Sequence, residues 1–283
     1  MNLSHPRHDL FIPDGQPTDH AISRTTHLGI GAHQDDLEFM ALHGILACFQ
    51  KSDRWFAGIT CTDGASSSRS GPYADFTNEQ MMAVRIREQK TAASIGQFGF
   101  IAQLGHHSSV AKNPAQRSAM VDDIKVILEA SRPDVIYTHN PFDKHPTHVG
   151  VMLATMAAIH ALPHDLRPQQ VFGCEVWRGL DWLPDAEKSV HDVSGHANLA
   201  ASLNGVFDSQ IAGGKRYDLA VEGRRLANAT FFDAHSVDET DRVQYAVDLS
   251  SLISGERSLR DFMTDKLASL NQEIFGTLAQ LTD

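Results

Sequence analysis

The chain has 283 residues, 42% of them hydrophobic, with 35 acidic against 24 basic side chains and a formal net charge of −11. A field of that sign repels phosphate backbones and anionic membrane surfaces, which argues against a nucleic-acid-binding protein. No stretch approaches the ~20 apolar residues of a membrane span, the N-terminus lacks the apolar core of a signal peptide, and the three cysteines lack metal-type spacing, so we expect a cytoplasmic protein with free thiols.

Residues 1–25 are polar and rich in His and Pro, and we interpret them as an extended lead-in. From residue 26 on, compact apolar runs alternate with stretches whose apolar residues recur every three or four positions. This alternation predicts right-handed βαβ units and a Rossmann-like α/β fold, a mainly parallel sheet with helices on both faces. The predicted strands are 26–32, 55–61, 100–104, 134–138 and 171–176, and the predicted helices are 39–49, 79–95, 115–131 and 147–162.

From about residue 178 the pattern weakens into helical stretches near 196–208, 215–228 and 258–276, with a short strand-like piece around 243–249. We interpret residues 26–283 as a single domain whose C-terminal extension is mostly helical. Parallel sheets of this kind bind their ligands at the carboxyl ends of the strands. The search for a functional site therefore begins at those ends.

Polar residues with metal-binding chemistry follow two of the predicted strands. His33, Asp35 and Asp36 lie in the turn after the first strand, and His145 and His148 follow the strand at 134–138. If both strands belong to one parallel sheet, the two turns lie on the same rim. One His, one carboxylate and one further His make the three-ligand set of catalytic zinc sites, which leaves a position open for water.

Each part of this pattern also has a simpler interpretation. Asp35 or Asp36 could cap a helix, and His145 and His148 could be solvated loop residues. Two adjacent carboxylates exceed what a cap needs, and both groups fall at strand ends, so a metal site is favoured. A nucleotide site is not, because residues 29–31 lack the third glycine of a dinucleotide fingerprint and carboxylates occupy the turn where pyrophosphate would sit.

The motifs resemble those of the LmbE-like (PIG-L) family of zinc-dependent N-deacetylases, whose first motif reads Ala-His-Pro-Asp-Asp and whose last reads His-Pro-Asp-His. Here the corresponding segments are 32–36 (AHQDD) and 145–148 (HPTH), and between them lie a Thr-x-Gly turn at 62–64 and an Arg-x-x-Glu pattern at 85–88. The resemblance covers residues 26 to about 160. It implies an enzyme that removes an acetyl group from the amide nitrogen of an N-acetyl amino sugar or its conjugate.

The resemblance also implies a role for each matching residue. His33, Asp36 and His148 would bind the metal, which we expect to be Zn²⁺, although His/carboxylate sites also accept ions such as Fe²⁺. Asp35 would be the general base, and a protonated His145 would face the developing oxyanion.

Three departures from the family pattern bear on these roles. Gln34 replaces the motif proline, which we expect to loosen the turn. Thr147 replaces an aspartate that could hold His145, so another group must orient that ring. Members of the thiol-cofactor branch have a tyrosine near the position of Asp143, and its absence leaves the substrate open.

Further residues are candidates for contact with the substrate, although simpler roles remain open for them. Arg85 could pair with Glu88 along its helix, Trp177 could belong to the core, and the turn before Lys215 could be a plain connection. An aromatic ring beside cations at the rim nevertheless suits a sugar. The candidate substrate contacts are Arg85, Asp143, Trp177, Arg178, Lys215, Arg216 and Tyr217.

Two other functions stay open at this point. The same metal site could serve a deacylase of non-sugar amides, or a catalytically silent carbohydrate-binding relative that kept the ion. In each case the expected partner is a small molecule, and self-association into a homo-oligomer is left open.

Overall fold

Eight strands form one mixed sheet in the computed structural model, which describes residues 3–282. The strands are β1 (Asp9–Phe11), β2 (His27–Gly31), β3 (Phe56–Thr62), β4 (Ile101–His106), β5 (Val135–His139), β6 (Gln170–Cys174), β7 (Ser189–Asp192) and β8 (Val243–Asp248). The α-helices are α1 (Thr18–Ser23), α2 (Asp36–Met40), α3 (Leu42–Cys48), α4 (Asn78–Ile95), α5 (Ser108–Lys112), α6 (Ser118–Ser131), α7 (Pro146–His160), α8 (Ala197–Gly205), α9 (Asp208–Ile211), α10 (Tyr217–Phe231) and α11 (Leu259–Thr282).

The five central strands run parallel in the order β4-β3-β2-β5-β6. β1 pairs antiparallel with β4 at one edge, and β8 pairs antiparallel with β6 near the other, with β7 outermost. All seven residues of β3 are buried, as expected for a strand covered on both faces. The predicted α/β fold with a mainly parallel sheet is confirmed.

Two apolar clusters lie on opposite faces of the sheet. Phe56 and Ala57, neighbours in β3, belong to different clusters because successive strand side chains point to opposite faces. Helices α3, α4 and α8 contribute to one cluster, and α6 and α7 to the other. Gly29 lets α2 approach β2, because a Cβ there would lie 2.9 Å from a methyl group of Leu37.

The central pair β2 and β5 positions the rim of interest. Ile30 of β2 pairs with Ile59 of β3 on one side and with Thr138 of β5 on the other. The chain leaves β2 toward β3, whereas β5 lies on the opposite side of β2, so the strand order reverses between them. Such a switch point opens a crevice at the carboxyl ends of the strands.

The N-terminal segment, predicted as an extended lead-in, contains two regular elements. Residues 9–11 form β1 and satisfy backbone groups that the edge of β4 would otherwise leave unpaired. Residues 18–23 form α1, whose Ala21 and Ile22 are buried and which contacts α6. Both features depend on tertiary contacts that the polar composition does not indicate.

Two other predicted elements change in detail. The predicted helix 39–49 is divided into α2 and α3 at Ala41, whose φ of −111° is not helical. The C-terminal extension contributes not only helices but also β8 and the unpredicted β7 to the sheet. Among residues 3–282, no helix is both long enough and apolar enough to cross a membrane.

Candidate metal centre

The three predicted ligand residues converge at the carboxyl ends of β2 and β5. His33 Nδ1 lies 3.2 Å from Asp36 Oδ2 and 3.3 Å from His148 Nε2, and His148 Nε2 lies 3.5 Å from Asp36 Oδ1. Donor atoms that surround a tetrahedral zinc at about 2.0–2.1 Å stand roughly 3.4 Å apart. The spacing of these side chains therefore fits a single ion of that size.

The surroundings of His148 prepare it for such a role. Its Nδ1 lies 3.2 Å from Asp143 Oδ2, in a pair whose side chains are both fully buried. A carboxylate that accepts from Nδ1–H leaves the Nε2 lone pair free for a metal, as in carboxylate–histidine–zinc arrangements. Burial alone would raise the pKa of Asp36, but the histidines beside it, above all His148, hold that pKa well below its usual range.

His139 lies against the same carboxylate, but its geometry favours a supporting role. Its Nε2 is 3.4 Å from Asp36 Oδ2 and accepts the backbone N–H of Ala32 at 3.0 Å. A backbone amide can only donate, so that ring nitrogen uses its lone pair there. The ring also stacks on His148, with centroids 3.9 Å apart.

Asp35 stands beside the donor set in an unusual backbone conformation. Its φ of 100° is in the left-handed region, which costs free energy for a residue with a Cβ. The backbone N–H of Asp35 donates to Gln89 Oε1 at 3.2 Å, and its Oδ2 lies 3.0 Å from Arg85 Nη2. Burial raises the pKa of Asp35 to about 6 against the opposing effect of Arg85.

Arg85 belongs to a buried network that links Asp35 to the C-terminal extension. Its Nη2 also donates to the Gln34 carbonyl, and its Nη1 donates to Ser209 Oγ at 3.4 Å. Ser209 in turn donates from its backbone N and its Oγ to the carboxylate of Glu88, at 2.7 and 2.6 Å. The guanidinium is 1% exposed. Its predicted role as a substrate contact is therefore secondary to its hold on Asp35.

The side chain of Gln34 fixes the turn after β2 through hydrogen bonds, whereas the sequence analysis expected the loss of proline to loosen that turn. Its Nε2 donates to the Thr62 carbonyl at 3.1 Å and to Gln103 Oε1 at 3.2 Å. Gly64, two residues after Thr62, has a φ of +71°, and a Cβ there would lie 2.7 Å from Gln34 Oε1. The side chain thus connects the turn after β2 to β3 and β4.

His145 lies among the rings of the site without a hydrogen bond to its buried Nδ1 from any residue in the range 3–282. Its centroid is 4.5 Å from that of His148, 5.2 Å from His33 and 6.0 Å from Trp177. Packing, rather than a carboxylate, therefore orients the ring. Burial, reinforced by His148 and His33, lowers the pKa of His145 to about 4. This lowered pKa favours the neutral imidazole of His145, whereas the sequence analysis predicted the protonated form.

A cavity of about 540 Å³ opens over these residues and brings several predicted substrate contacts together. Its lining includes His33, Asp35, Asp36 and His145, together with residues of the C-terminal extension. The predicted contacts that line it are Arg85, Trp177, Lys215 and Tyr217.

Three predicted substrate contacts lie outside the cavity lining. Asp143 is committed to His148 and to the backbone N–H groups of His145 and Trp177. Arg178 donates from Nε to the Phe142 carbonyl at 2.7 Å. The exposed Arg216 pairs with Asp218 at 2.7 Å. These three side chains form local ion pairs or hydrogen bonds instead of lining the cavity. Their positions in the sequence did not reveal those contacts.

Sequence reasoning missed other residues of the site. Ser209 and Arg224 come from the extension, and Lys112 ends α5; Arg224 and Lys112 line the cavity. None belongs to a motif. The signal that could have found Ser209 is the Arg-x-x-Glu helix, because a buried Glu88 needs a donor beyond its own turn.

Comparisons with known proteins agree with the fold. Residues 28–159 match the family described as PIG-L, GlcNAc-PI de-N-acetylase. A search of curated proteins found no significant match. Among solved structures, the N,N'-diacetylchitobiose deacetylase from Pyrococcus horikoshii has a TM-score of 0.62 at 15% identity, over 84% of this chain and 88% of that one.

Two further structures mark the range of proteins with this fold. The A40926 pseudoaglycone deacetylase Dbv21 has a TM-score of 0.55 at 16% identity, over 80% of this chain and 98% of its own. GalB, the 4-carboxy-2-hydroxymuconate hydratase from Pseudomonas putida KT2440, has a TM-score of 0.61 at 14% identity, over 80% and 96%. One neighbour is a deacetylase and the other a hydratase, so the fold alone does not decide the reaction.

Proposed function

Because residues 28–159 form a PIG-L (LmbE-like) domain, we propose that this protein is a metal-dependent hydrolase that removes the acetyl group from the amide nitrogen of an N-acetyl amino sugar or its conjugate. The observation that carries the proposal is the close approach of three side chains beside the separate carboxylate of Asp35. His33 Nδ1 lies 3.3 Å from His148 Nε2, and the two oxygens of Asp36 lie 3.2 Å from His33 Nδ1 and 3.5 Å from His148 Nε2. Metal-assisted deacetylation needs ion-binding groups and a separate base, and these residues are suited to both roles.

The three spaced side chains would hold the ion, which we propose to be zinc or a divalent ion of similar preference. A bound zinc-type ion would supply Lewis acidity and would make a water molecule at the site far more acidic, with a pKa near 7. Asp143 keeps His148 in the tautomer that this requires, and Asp36 stays ionised among the histidines.

The proton transfers fall to residues that line the cavity. Asp35, fixed by Arg85 and by its constrained backbone, accepts the proton of the attacking water. His145 faces the same space, and its imidazole N–H can donate a hydrogen bond to the developing oxyanion, a contribution of about 3 kcal/mol in comparable sites. The proton for the leaving amine then comes from Asp35, which took it from the attacking water, because a neutral His145 has no acidic proton to release.

The substrate class rests on the walls of the cavity. Trp177 and Tyr217 line the cavity as aromatic side chains, with ring centroids 6.0 Å apart. Aromatic rings stack on the apolar faces of sugars. A volume of about 540 Å³ also falls within the common range for small-molecule sites, about 300–1,000 Å³.

An amine-release assay tests the proposal directly. Zinc-loaded protein is incubated with N-acetylglucosamine, N,N'-diacetylchitobiose, N-acetylglucosamine phosphates and, as non-sugar amides, N-acetylated amino acids. Turnover of a sugar amide that chelation abolishes and added zinc restores supports the proposal. Turnover confined to non-sugar amides identifies the other deacylase, and tight sugar binding without any turnover identifies a silent binding protein.

Asp35→Asn provides the decisive variant for that assay. The amide cannot act as a base, so the rate should fall about 10²–10⁴-fold, the usual contribution of a positioned acid–base group. Bound metal, measured by elemental analysis, should stay near the wild-type ratio because Asp35 is not in the donor set. A variant with wild-type turnover would refute the assignment of Asp35 as the base.

A further inference from the structure

The second half of α11 projects from the domain. Near its start the helix is attached, because Phe262 is buried and Lys266 Nζ lies 2.8 Å from Glu187 Oε2. Every residue from 271 to 282, in contrast, is exposed. An isolated helical segment of about 12 residues is only marginally stable in water. A partner that covers one face of this segment would therefore stabilise it.

One face of the projecting segment is apolar. Five aliphatic side chains, which we call the α11 stripe, recur at steps of three and four residues and lie within about 80° of arc around the helix. They are Leu267, Leu270, Ile274, Leu278 and Leu281. Four of the five expose 46–80% of their surface. Phe262 lies about 120° from Ile274 around the helix, so the stripe is not the face that attaches α11 to the domain.

The spacing of the stripe is symmetric about Ile274. Leu270 and Leu278 lie four residues to either side of it, and Leu267 and Leu281 lie seven residues to either side. Two antiparallel copies of α11 that share a two-fold axis at Ile274 therefore bring apolar residues to the same level along their whole contact. A two-fold interface requires such self-complementarity, because the same patch contributes from both subunits.

The distribution of charge favours a second copy of the chain over a lipid surface. Glu273 is the only ionisable residue between 267 and 282, and it lies about 100° from Ile274 around the helix, outside the stripe. Helices that lie on membranes carry Lys and Arg on their polar face, and this segment has neither. Antiparallel pairing also sets the two acidic domains, each with a formal net charge of −11, at opposite ends of the helix pair.

The area of the stripe suits a weak but specific pair. The 16 residues from 267 to 282 span about 24 Å of helix, so two stripes laid together bury on the order of 1,000 Å² in total. That area is near the lower limit for a specific protein–protein interface, for which we expect a dissociation constant of about 1–100 µM.

We propose that the α11 stripe is a self-association surface, on which α11 of a second copy of this chain packs antiparallel with Ile274 at the two-fold axis. The proposal does not depend on the proposed function, since no residue of the stripe lines the cavity.

Sedimentation velocity of the full chain over a range of about 1 to 200 µM tests the association. The wild type should shift from a 31.1 kDa monomer toward a species of twice that mass as the concentration rises. Ile274→Glu places two like charges at the centre of the interface and should weaken the dimer about 100-fold or more. The position is exposed in the monomer, so we expect the variant to fold.

Gln272→Glu is the matched control. It adds the same charge to the same exposed segment, but about 160° from Ile274 around the helix, and should change the dissociation constant less than about threefold. A wild type that stays monomeric at about 200 µM, or a dimer that Ile274→Glu leaves intact, overturns the proposal. Flotation of the wild type with phosphatidylcholine–phosphatidylglycerol vesicles, lost in Ile274→Glu, would identify a lipid surface as the occupant instead.

Cysteine cross-linking tests the orientation of the pair. Under oxidising conditions, a mixture of Leu267→Cys and Leu281→Cys proteins should form a mixed disulfide, because antiparallel packing brings these two positions together, whereas neither protein alone should cross-link. The native cysteines are buried and do not compete. A disulfide between two Leu267→Cys chains would indicate parallel packing and overturn the two-fold arrangement about Ile274.

Discussion

Two histidine-rich groups lie beside the same central strands, but they differ in chemistry. We call His33, Asp35, Asp36, His145 and His148 the rim cluster, and His27, His43, His191 and Tyr137 the face cluster. The rim cluster combines carboxylate and imidazole groups beside an open cavity. In the face cluster, His43 stacks on His191 with centroids 4.2 Å apart and shares a hydrogen bond with Tyr137 Oη at 2.9 Å.

The difference shows what makes a histidine group functional. Burial lowers the pKa of His27 and of His191 to about 4, so the face cluster packs as neutral rings. Among the described residues, the donor groupings able to hold a metal ion lie at the carboxyl ends of β2 and β5 and all include His148. Donor atoms that converge at the strand ends, rather than the number of histidines, therefore define the candidate site.

The largest expected effect is a loss of bound metal, which should follow a substitution in the rim cluster but not one in the face cluster. His148→Ala removes one of three proposed ligands, so bound metal should be lost and activity should fall about 10³-fold or more, since the ion accounts for several kcal/mol of transition-state stabilisation. His43→Ala, the matched change in the face cluster, should retain the metal. Elemental analysis with the amine-release assay checks both, and full metal occupancy in the His148 variant would contradict the ligand set.

A smaller effect should come from the carboxylate behind His148. Asp143→Asn keeps the shape of the side chain but loses its charge, so metal affinity should fall about 10–100-fold, as for other carboxylates that hold a metal-binding histidine. Competition with a chelator of known affinity measures this change. Unaltered affinity would mean that Asp143 only fastens the loop through the N–H groups of His145 and Trp177.

The next smaller effect on the rate should come from the hydrogen-bond network that links Ser209 to Asp35 through Arg85. Ser209→Ala leaves the backbone N–H to Glu88 but removes the hydroxyl bond at 2.6 Å, a loss of about 1–1.5 kcal/mol. We expect kcat to fall about tenfold, with KM and metal content unchanged, and Ser209→Thr to restore most of the rate. Ser202→Ala, at an exposed position in α8, is the control; a rate loss that threonine does not rescue would exclude positioning through the hydroxyl.

The smallest effect concerns the stability of the face cluster in acid. The folded-state pKa of His191 is depressed to about 4 from the ordinary 6.5, mainly by burial, so the unfolded chain binds more protons between those values and stability falls as the pH drops from 6.5 toward 4. His43 stacks on this ring, Phe172 packs edge-on against it, and the charge of Asp192 favours protonation of His43.

His191→Phe should remove part of that dependence, about 1 kcal/mol at pH 5 once partial exposure is allowed for. Thermal melting of the variant and the wild type at pH 7 and pH 5 measures it, with the exposed His20→Gln as control. Equal losses of Tm in the variant and the wild type would show that the face cluster does not govern acid stability.

Much of the fold and the composition of the rim cluster followed from the sequence alone. Periodicity placed five parallel strands and their helices within a few residues of the observed bounds, because apolar runs and helical spacing are local properties. Adjacent carboxylates at one strand end and paired histidines at another then located the site, since parallel strands bring their carboxyl ends to one rim.

Only the tertiary structure decided which side chains work together. Arg85 pairs with Asp35, and Asp143 accepts a hydrogen bond from His148. Arg178 and Arg216 contact the Phe142 carbonyl and Asp218 instead of the cavity. Each side chain pairs with the groups that the fold brings within hydrogen-bonding reach. Lys215, Arg224 and Ser209 reach the site from an extension with no recognisable motif. Sequence order fixes local structure and charge, but partners distant along the chain meet only through packing of the whole sheet.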